Sequence, residues 1–237
     1  MPSERQMVTR WDDAAENHRR RYEWAARRLN QFKDEHRFED TTYTPSEDDP
    51  AYTMMTRRSH SFADIACGCG YGTAYLTLET GSPVNGWDNS REAIRWAHKY
   101  FFNVNTKFPD FHVVKSHGTG FERSAFGVVR YDAVVMLETL EHLSLDFHAL
   151  MVIRDLVVSD GLLLLSVPNQ KYIPHDLSVN PFHLRHYTVE SLRDLLYATG
   201  WEPTEWYHQE GSSPGESEVY PGADGLCIMV VCRKWEE

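Results

Sequence analysis

The chain has 237 residues, 41% of them hydrophobic, which is enough to bury a full core but cramped for two independent domains. Its 35 acids against 24 bases give a formal net charge of −11, which disfavours broad, non-specific binding to nucleic acid and favours a small or neutral partner. It has no run of about eighteen apolar residues and no charged-then-apolar leader in MPSERQMVTRWDD, so a soluble, cytoplasmic protein with no membrane contact is expected.

From Met1 to Phe38 the apolar positions Trp11, Ala14, Ala15, His18, Tyr22, Ala25, Ala26, Leu29 and Phe32 recur at three- and four-residue spacings. That period predicts a helix, expected to act as a lid or cap outside a central sheet. The run Arg19, Arg20, Arg21 reads as a solvated helix face rather than a nucleic-acid patch. Glu39 to Thr56 is acidic, carries Pro45 and Pro50, and shows no apolar period, so it reads as a loop. The expected division is therefore a cap and loop over residues 1–56 and one main domain over 57–237.

Phe62 to Leu76, FADIACGCGYGTAYL, reads as a strand, a tight turn and a helix N-terminus. Gly68, Gly70 and Gly72 stand where the chain leaving a strand takes positive φ or lets a ligand press on its backbone. The first turn of the following helix exposes N–H groups and favours an anionic or carboxylate-bearing ligand. Glycine turns also serve dinucleotides, but Asp64 inside D-x-A-x-G-x-G would repel a pyrophosphate. Asp88, at the end of a second strand (Pro83 to Trp87), has the spacing of an acid that accepts both ribose hydroxyls. An adenosine ligand with a cationic amino group satisfies both acids, and S-adenosylmethionine is one. Cys67 and Cys69 are too close for a C-x-x-C redox or zinc pair and, with Cys227 and Cys232, read as reduced packing residues.

The helix after the turn, Thr73 to Thr80, ends at Gly81, Ser82 and Pro83. Ser90 caps the helix Arg91 to Phe102. A third strand is expected at Phe111 to Lys115, followed by a turn at Ser116 and His117. Tyr131 to Leu137 is apolar enough for a central parallel strand and delivers LETLEHL to the carboxyl edge of the sheet, where open α/β sheets bind ligands. A fifth strand, Leu162 to Val167, leads into a long loop from Pro168 and Asn169. A helix at Val189 to Thr199, a strand at Glu202 to His208, the Gly/Ser/Pro-rich Gly211 to Gly225 and a strand at Leu226 to Arg233 complete the chain. The expected fold is α/β: a seven-stranded, mostly parallel sheet with helices on both faces, a C-terminal antiparallel hairpin at the sheet edge and the N-terminal helical cap.

The chemistry concentrates in ETLEH and NPFHLRH. A displacement by a hydroxyl needs the nucleophile aligned and a group that takes its proton. His142, held by Glu138 or Glu141, is the candidate base, with His183 and His186 as alternatives; a purely structural hydrogen bond at a strand end is the plain reading of each.

In the segments HRRRYEWAA, DIACGCGYGT, GWDNSREAIRWA, YDAVVMLETLEHL, DGLLLLSVPN and NPFHLRHYTVESLRDLL, in that order, the chain resembles class I S-adenosylmethionine-dependent methyltransferases. Within them it is similar to the branch found beside sugar- and polysaccharide-modifying enzymes, and more distantly to ubiquinone-pathway O-methyltransferases. Ala66 stands where many members have glycine. The resemblance implies a Rossmann-like fold and S-adenosylmethionine as cofactor. It places the cofactor against Tyr22, Asp64, Ala66, Cys67, Gly68, Gly70, Tyr71, Asp88, Asn89, Ser116, His117 and Leu137, although Ser116 and His117 lack the acid that often meets the adenine amino group. It also implies a small-molecule, sugar or glycan acceptor, modified at oxygen, with Glu138, Glu141 and His142 doing the chemistry and no metal. The pattern E-x-x-E-H with a downstream histidine is similar, too, to RNA 3′-end 2′-O-methyltransferases, in which two carboxylates and two histidines hold a divalent metal. Here Glu138, Glu141, His142 and His183 would supply that set. Against it stand the missing downstream motif and basic RNA surface. A non-catalytic, cofactor-binding accessory protein is the third alternative.

Overall fold

The computed structural model describes residues 6–36, 60–103, 108–114, 120–127, 129–213 and 215–235. The expected loop at Glu39 to Thr56, with the boundary at residue 56, and the adenine-turn residues Ser116 and His117 lie outside these residues. One eight-stranded sheet runs β3-β2-β1-β4-β5-β8-β6-β7, built from β1 (Phe62–Ile65), β2 (Val84–Asp88), β3 (Asp110–Val113), β4 (Tyr131–Leu137), β5 (Val157–Pro168), β6 (Trp201–Gln209), β7 (Tyr220–Pro221) and β8 (Cys227–Lys234). β1 to β5 pair in parallel, and β8 runs antiparallel between β5 and β6. The late hairpin therefore places its second strand inside the sheet. The eighth strand, against seven expected, is the two-residue β7 within the Gly/Ser/Pro-rich connection.

Strand periodicity sorts the core into two faces. Ala63, Ile65, Val134, Met136, Leu163, Leu165, Ile228 and Val230 pack with α4 (Asp146–Leu156) and α5 (Val189–Ala198) through Leu150, Ile153, Leu192 and Leu196. Phe62, Val84, Ala133, Val135, Leu162, Leu164, Met229 and Val231 pack with α1 (Glu16–Glu35) and α2 (Tyr71–Thr80) through Trp24, Ala25, Leu29, Phe32 and Leu76. The first helix is thus a covering layer of the sheet rather than a lid outside it; its apolar stripe is where Val135 and Leu164 find their partners. α3 (Arg91–Tyr100) begins at Ser90, whose hydroxyl accepts the Ala93 N–H at 3.2 Å. Among the described residues no helix is long and apolar enough to cross a membrane.

The α1–α2 contact explains one glycine. A Cβ on Gly72 would lie 2.0 Å from the Tyr22 ring, so this glycine serves helix packing and not a ligand. Gly72→Ala is expected to lower stability by about 1–3 kcal/mol through overpacking, read as a shift of the urea midpoint, with a smaller loss when Tyr22→Ala is also present. Equal midpoints for wild type and Gly72→Ala would show that this contact is not close-packed.

Candidate active site

A cavity of about 850 Å³ opens at the carboxyl edge of the parallel strands, where such sheets place their ligands. Its floor is the turn between β1 and α2. Ala66 and Gly68 take left-handed φ of 61° and 56°, and the Gly68 N–H donates to Asp88 Oδ2 at 3.0 Å. At Gly68 nothing lies within 4 Å of where a Cβ would stand, so the open face of this backbone borders the cavity. Gly70 differs. Its φ is 88°, and a Cβ there would meet the Phe111 ring at 2.6 Å and Ala97 at 2.7 Å. It is not on the cavity wall, and the close approach is to protein rather than to ligand.

Ala66, Cys67, Gly68, Tyr71, Asp88, Asn89, Leu137 and Tyr22 do line the cavity. Asp88 is 2% exposed, with Oδ1 accepting the Ser90 N–H at 2.8 Å. Asp64 sits behind the wall, where it accepts from Thr73 Oγ1 at 2.7 Å and from the Tyr22 hydroxyl at 3.2 Å. Tyr22, which lines the cavity, lies between Asp64 and the cavity. Burial raises the Asp64 carboxyl to about 7 against the lowering effect of those hydrogen bonds.

The opposite wall comes from the end of β4 and the loop after β5. Glu138 has φ 46°. Its Oε1 accepts from Ser166 Oγ at 2.8 Å and Cys227 Sγ at 3.3 Å, and its Oε2 lies 3.7 Å from Arg21 Nη2. Burial alone would raise its pKa, but the Arg21 guanidinium and these hydrogen bonds hold it below the usual carboxylate range. Glu138 is thereby a partner of Arg21. Glu141, fully buried, is the nearer acid: His142 Nε2 is 3.9 Å from its Oε1, while His142 Nδ1 meets the Phe182 carbonyl at 3.0 Å. The Leu184 N–H donates to the Glu141 carbonyl at 2.8 Å and so brings the NPFHLRH loop alongside. Ring nitrogens of His142 and His183 and a carboxylate oxygen of Glu141 lie within 4.8 Å of one another, all on described residues, in a geometry that can hold a metal ion. Glu138, the fourth member of the sequence-derived set, stands outside this group. Burial and the neighbouring His142 and His186 push His183 down to about 4, so it is neutral at ordinary pH.

Among the cavity-lining side chains that sequence reasoning did not place in the site are His18 and Arg21. His18 Nδ1 lies 3.0 Å from the Tyr71 hydroxyl, and burial, then the charge of Arg21, lowers its pKa to about 4. Arg21 was grouped with a solvated face, yet it is 7% exposed and its Nε donates to Gln209 Oε1 at 2.7 Å. The signal was present in the helical register: 18, 21, 22 and 25 share one face, whereas Arg20 points outward to Glu16, Glu23 and Glu218.

A family model described as a methyltransferase domain matches residues 17–205. A search among curated proteins finds no match. Among solved structures, a methyltransferase of Methanosarcina mazei superposes with TM-score 0.56 at 18% identity over 80% of this chain and 99% of its own. One from Mesorhizobium loti gives 0.57 at 13%, over 74% and 91%. The magnesium protoporphyrin IX methyltransferase of Synechocystis, with bound S-adenosylhomocysteine, gives 0.56 at 13%, over 92% and 85%. At these identities the likeness is one of fold.

The raised Asp64 carboxyl has a consequence for stability. Between the ordinary carboxyl range near pH 4 and about pH 7 the folded chain binds a proton that the unfolded chain has released. Its contribution is therefore complete at low pH and lost as pH rises through about 7. Asp64→Asn is expected to gain stability over wild type progressively between acidic and mildly alkaline pH, read from urea midpoints. Parallel profiles would put the folded Asp64 in the ordinary carboxylate range.

Proposed function

The chain belongs to the methyltransferase-domain family, and from that premise we propose that it moves a methyl group from S-adenosylmethionine to a hydroxyl oxygen of a small-molecule, sugar or glycan acceptor. The observation that carries this reading is the continuity of one cavity from the Gly68–Asp88 floor to the Glu141–His142–His183 wall. The floor fits the cofactor: the open backbone at Gly68 is a cradle that a side chain would fill, and Asp88, which lines the cavity, is the acid toward which ribose hydroxyls can donate. When bound, the cofactor supplies a methyl group on a positive sulfur and leaves as S-adenosylhomocysteine.

The chain's own residues then have separable tasks. Asp88 and the turn bind; Tyr22, His18 and Arg21 close the α1 side; and His142 takes the hydroxyl proton at Nε2, with the Glu141 carboxylate stabilising the imidazolium that results. His183 is a poor base, since its conjugate acid is too strong to hold a proton at neutral pH. Its role is to accept a hydrogen bond and orient the acceptor. The composition, net −11, favours a neutral acceptor over RNA.

A second reading follows from the same wall. Two imidazoles and one carboxylate within 4.8 Å are a sensible mixed N/O set for a divalent ion, which would bind the acceptor oxygens and lower their pKa.

Asp88→Ala is expected to weaken S-adenosylhomocysteine binding by about 1–3 kcal/mol in calorimetry, since it leaves ribose hydroxyls without their partner; unchanged affinity would remove Asp88 from the cofactor site. Labelled cofactor incubated with metabolite and glycan extracts, followed by mass spectrometry, identifies the acceptor. With that acceptor, His142→Ala is expected to cost about a hundredfold in kcat with cofactor affinity preserved, and a chelator to do nothing. Loss of activity on chelation, restored by divalent ions, would select the metal reading.

A further inference from the structure

The hydrogen bonds behind the histidine wall have a polarity that the partners determine. The Ile173 carbonyl can only accept, and His186 Nδ1 lies 2.6 Å from it, so that nitrogen carries the proton. In a neutral His186 the lone pair is then at Nε2. His183 Nδ1 lies 2.7 Å from this Nε2 and is the donor, which leaves the lone pair of His183 at its own Nε2. His142 is set in the same way, because its Nδ1 faces the Phe182 carbonyl. The backbone that carries the relay is itself fixed. His175 Nε2 donates to the His183 carbonyl at 2.8 Å, and the residue after His186, Tyr187, donates to Asp146 Oδ2 at 2.9 Å. His186 is 8% exposed and stands behind His183, which is on the cavity wall.

We propose that His186 is a positioning residue that locks His183, a residue of the cavity wall, in its Nδ1–H tautomer, so that the acceptor nitrogen of His183 is Nε2. In that tautomer His183 Nε2 can accept from a hydroxyl and has no proton to offer a carbonyl or carboxylate. The purpose rests on the hydroxyl-methylation reading; the geometry does not.

Nitrogen NMR of protein carrying isotope-labelled histidine, in mildly alkaline buffer without acceptor, reads the tautomers directly. In wild type, His183 and His186 are expected as pure Nδ1–H forms. His186→Leu should convert His183 to a tautomer mixture while S-adenosylhomocysteine affinity is unchanged. His186→Gln, whose amide can accept from His183 and donate to Ile173, should keep the pure form. A wild-type His183 protonated at Nε2, a doubly protonated His186, or a leucine variant with an unaltered His183 spectrum would overturn the relay. If the leucine variant fails to bind S-adenosylhomocysteine, the wild-type spectrum decides alone. Because no turnover is involved, the result stands apart from whether the acceptor is methylated at oxygen.

Discussion

A single buried cation holds the walls of the cavity together. Arg21 leaves α1 with 7% exposure and meets Gln209 of β6 and Glu138 at the end of β4. Gln209 in turn donates to the carbonyls of Asn17 and Ser217 at 3.0 and 2.6 Å. A guanidinium out of water is tolerated only with partners; stripping one from a buried pair costs about 3–5 kcal/mol. Helix α1, strand β6 and the β4 terminus are therefore constrained relative to one another by one side chain, and the cavity lies between them.

The same pair makes sense of an unfavourable backbone. Glu138 is a non-glycine residue at φ 46°, a conformation that costs on the order of 1–3 kcal/mol and persists only where its surroundings fix it. Here they do: its N–H donates to the Ser166 hydroxyl at 3.0 Å, its carboxylate accepts from that hydroxyl and from Cys227, and Arg21 supplies the opposite charge. The turn at Glu138 redirects the chain into the 3-10 turn Leu140–His142, bringing Glu141 and His142 to the wall. Glu138 thus contributes to the site by shaping it, which accounts for its absence from the cluster of nearby ligand atoms.

Much of this was legible in the residues because the responsible forces are local. The bounds of β4 coincide with its apolar run, since a strand buried on both faces must be apolar throughout. The strand–glycine–helix unit follows from left-handed φ at Gly68, Gly70 and Gly81, and the Ser90 cap from a hydroxyl one residue ahead of a helix. What escaped depended on partners distant in sequence. An amphipathic period establishes that α1 buries a face, not against what, so its place on the sheet and the burial of Arg21 were hidden. The helix α4 was not foreseen because Asp146–Leu156 runs straight into β5 at Val157 with no glycine or proline to mark the junction. Gly70 and Gly72 carried the correct signal of close approach but not the identity of the neighbour, which is Phe111 in one case and Tyr22 in the other.

Asp64 shows how a residue can belong to a site without touching its contents. Its carboxylate is 1% exposed and accepts from Thr73 and Tyr22, so it is hydrogen-bonded to the cavity wall through the tyrosine hydroxyl rather than standing on the wall itself. That arrangement orients the hydroxyl: a Tyr22 proton committed to Asp64 leaves the oxygen lone pairs as what a ligand on the cavity side meets. A cationic amino group on that side would meet a polarised hydroxyl oxygen rather than a naked carboxylate. The buried acid, poised to about 7, gains stability in its charged form whenever positive charge approaches along this path. On the proposed function, cofactor binding and Asp64 ionisation would each favour the other, and the link would pass through Tyr22 of α1.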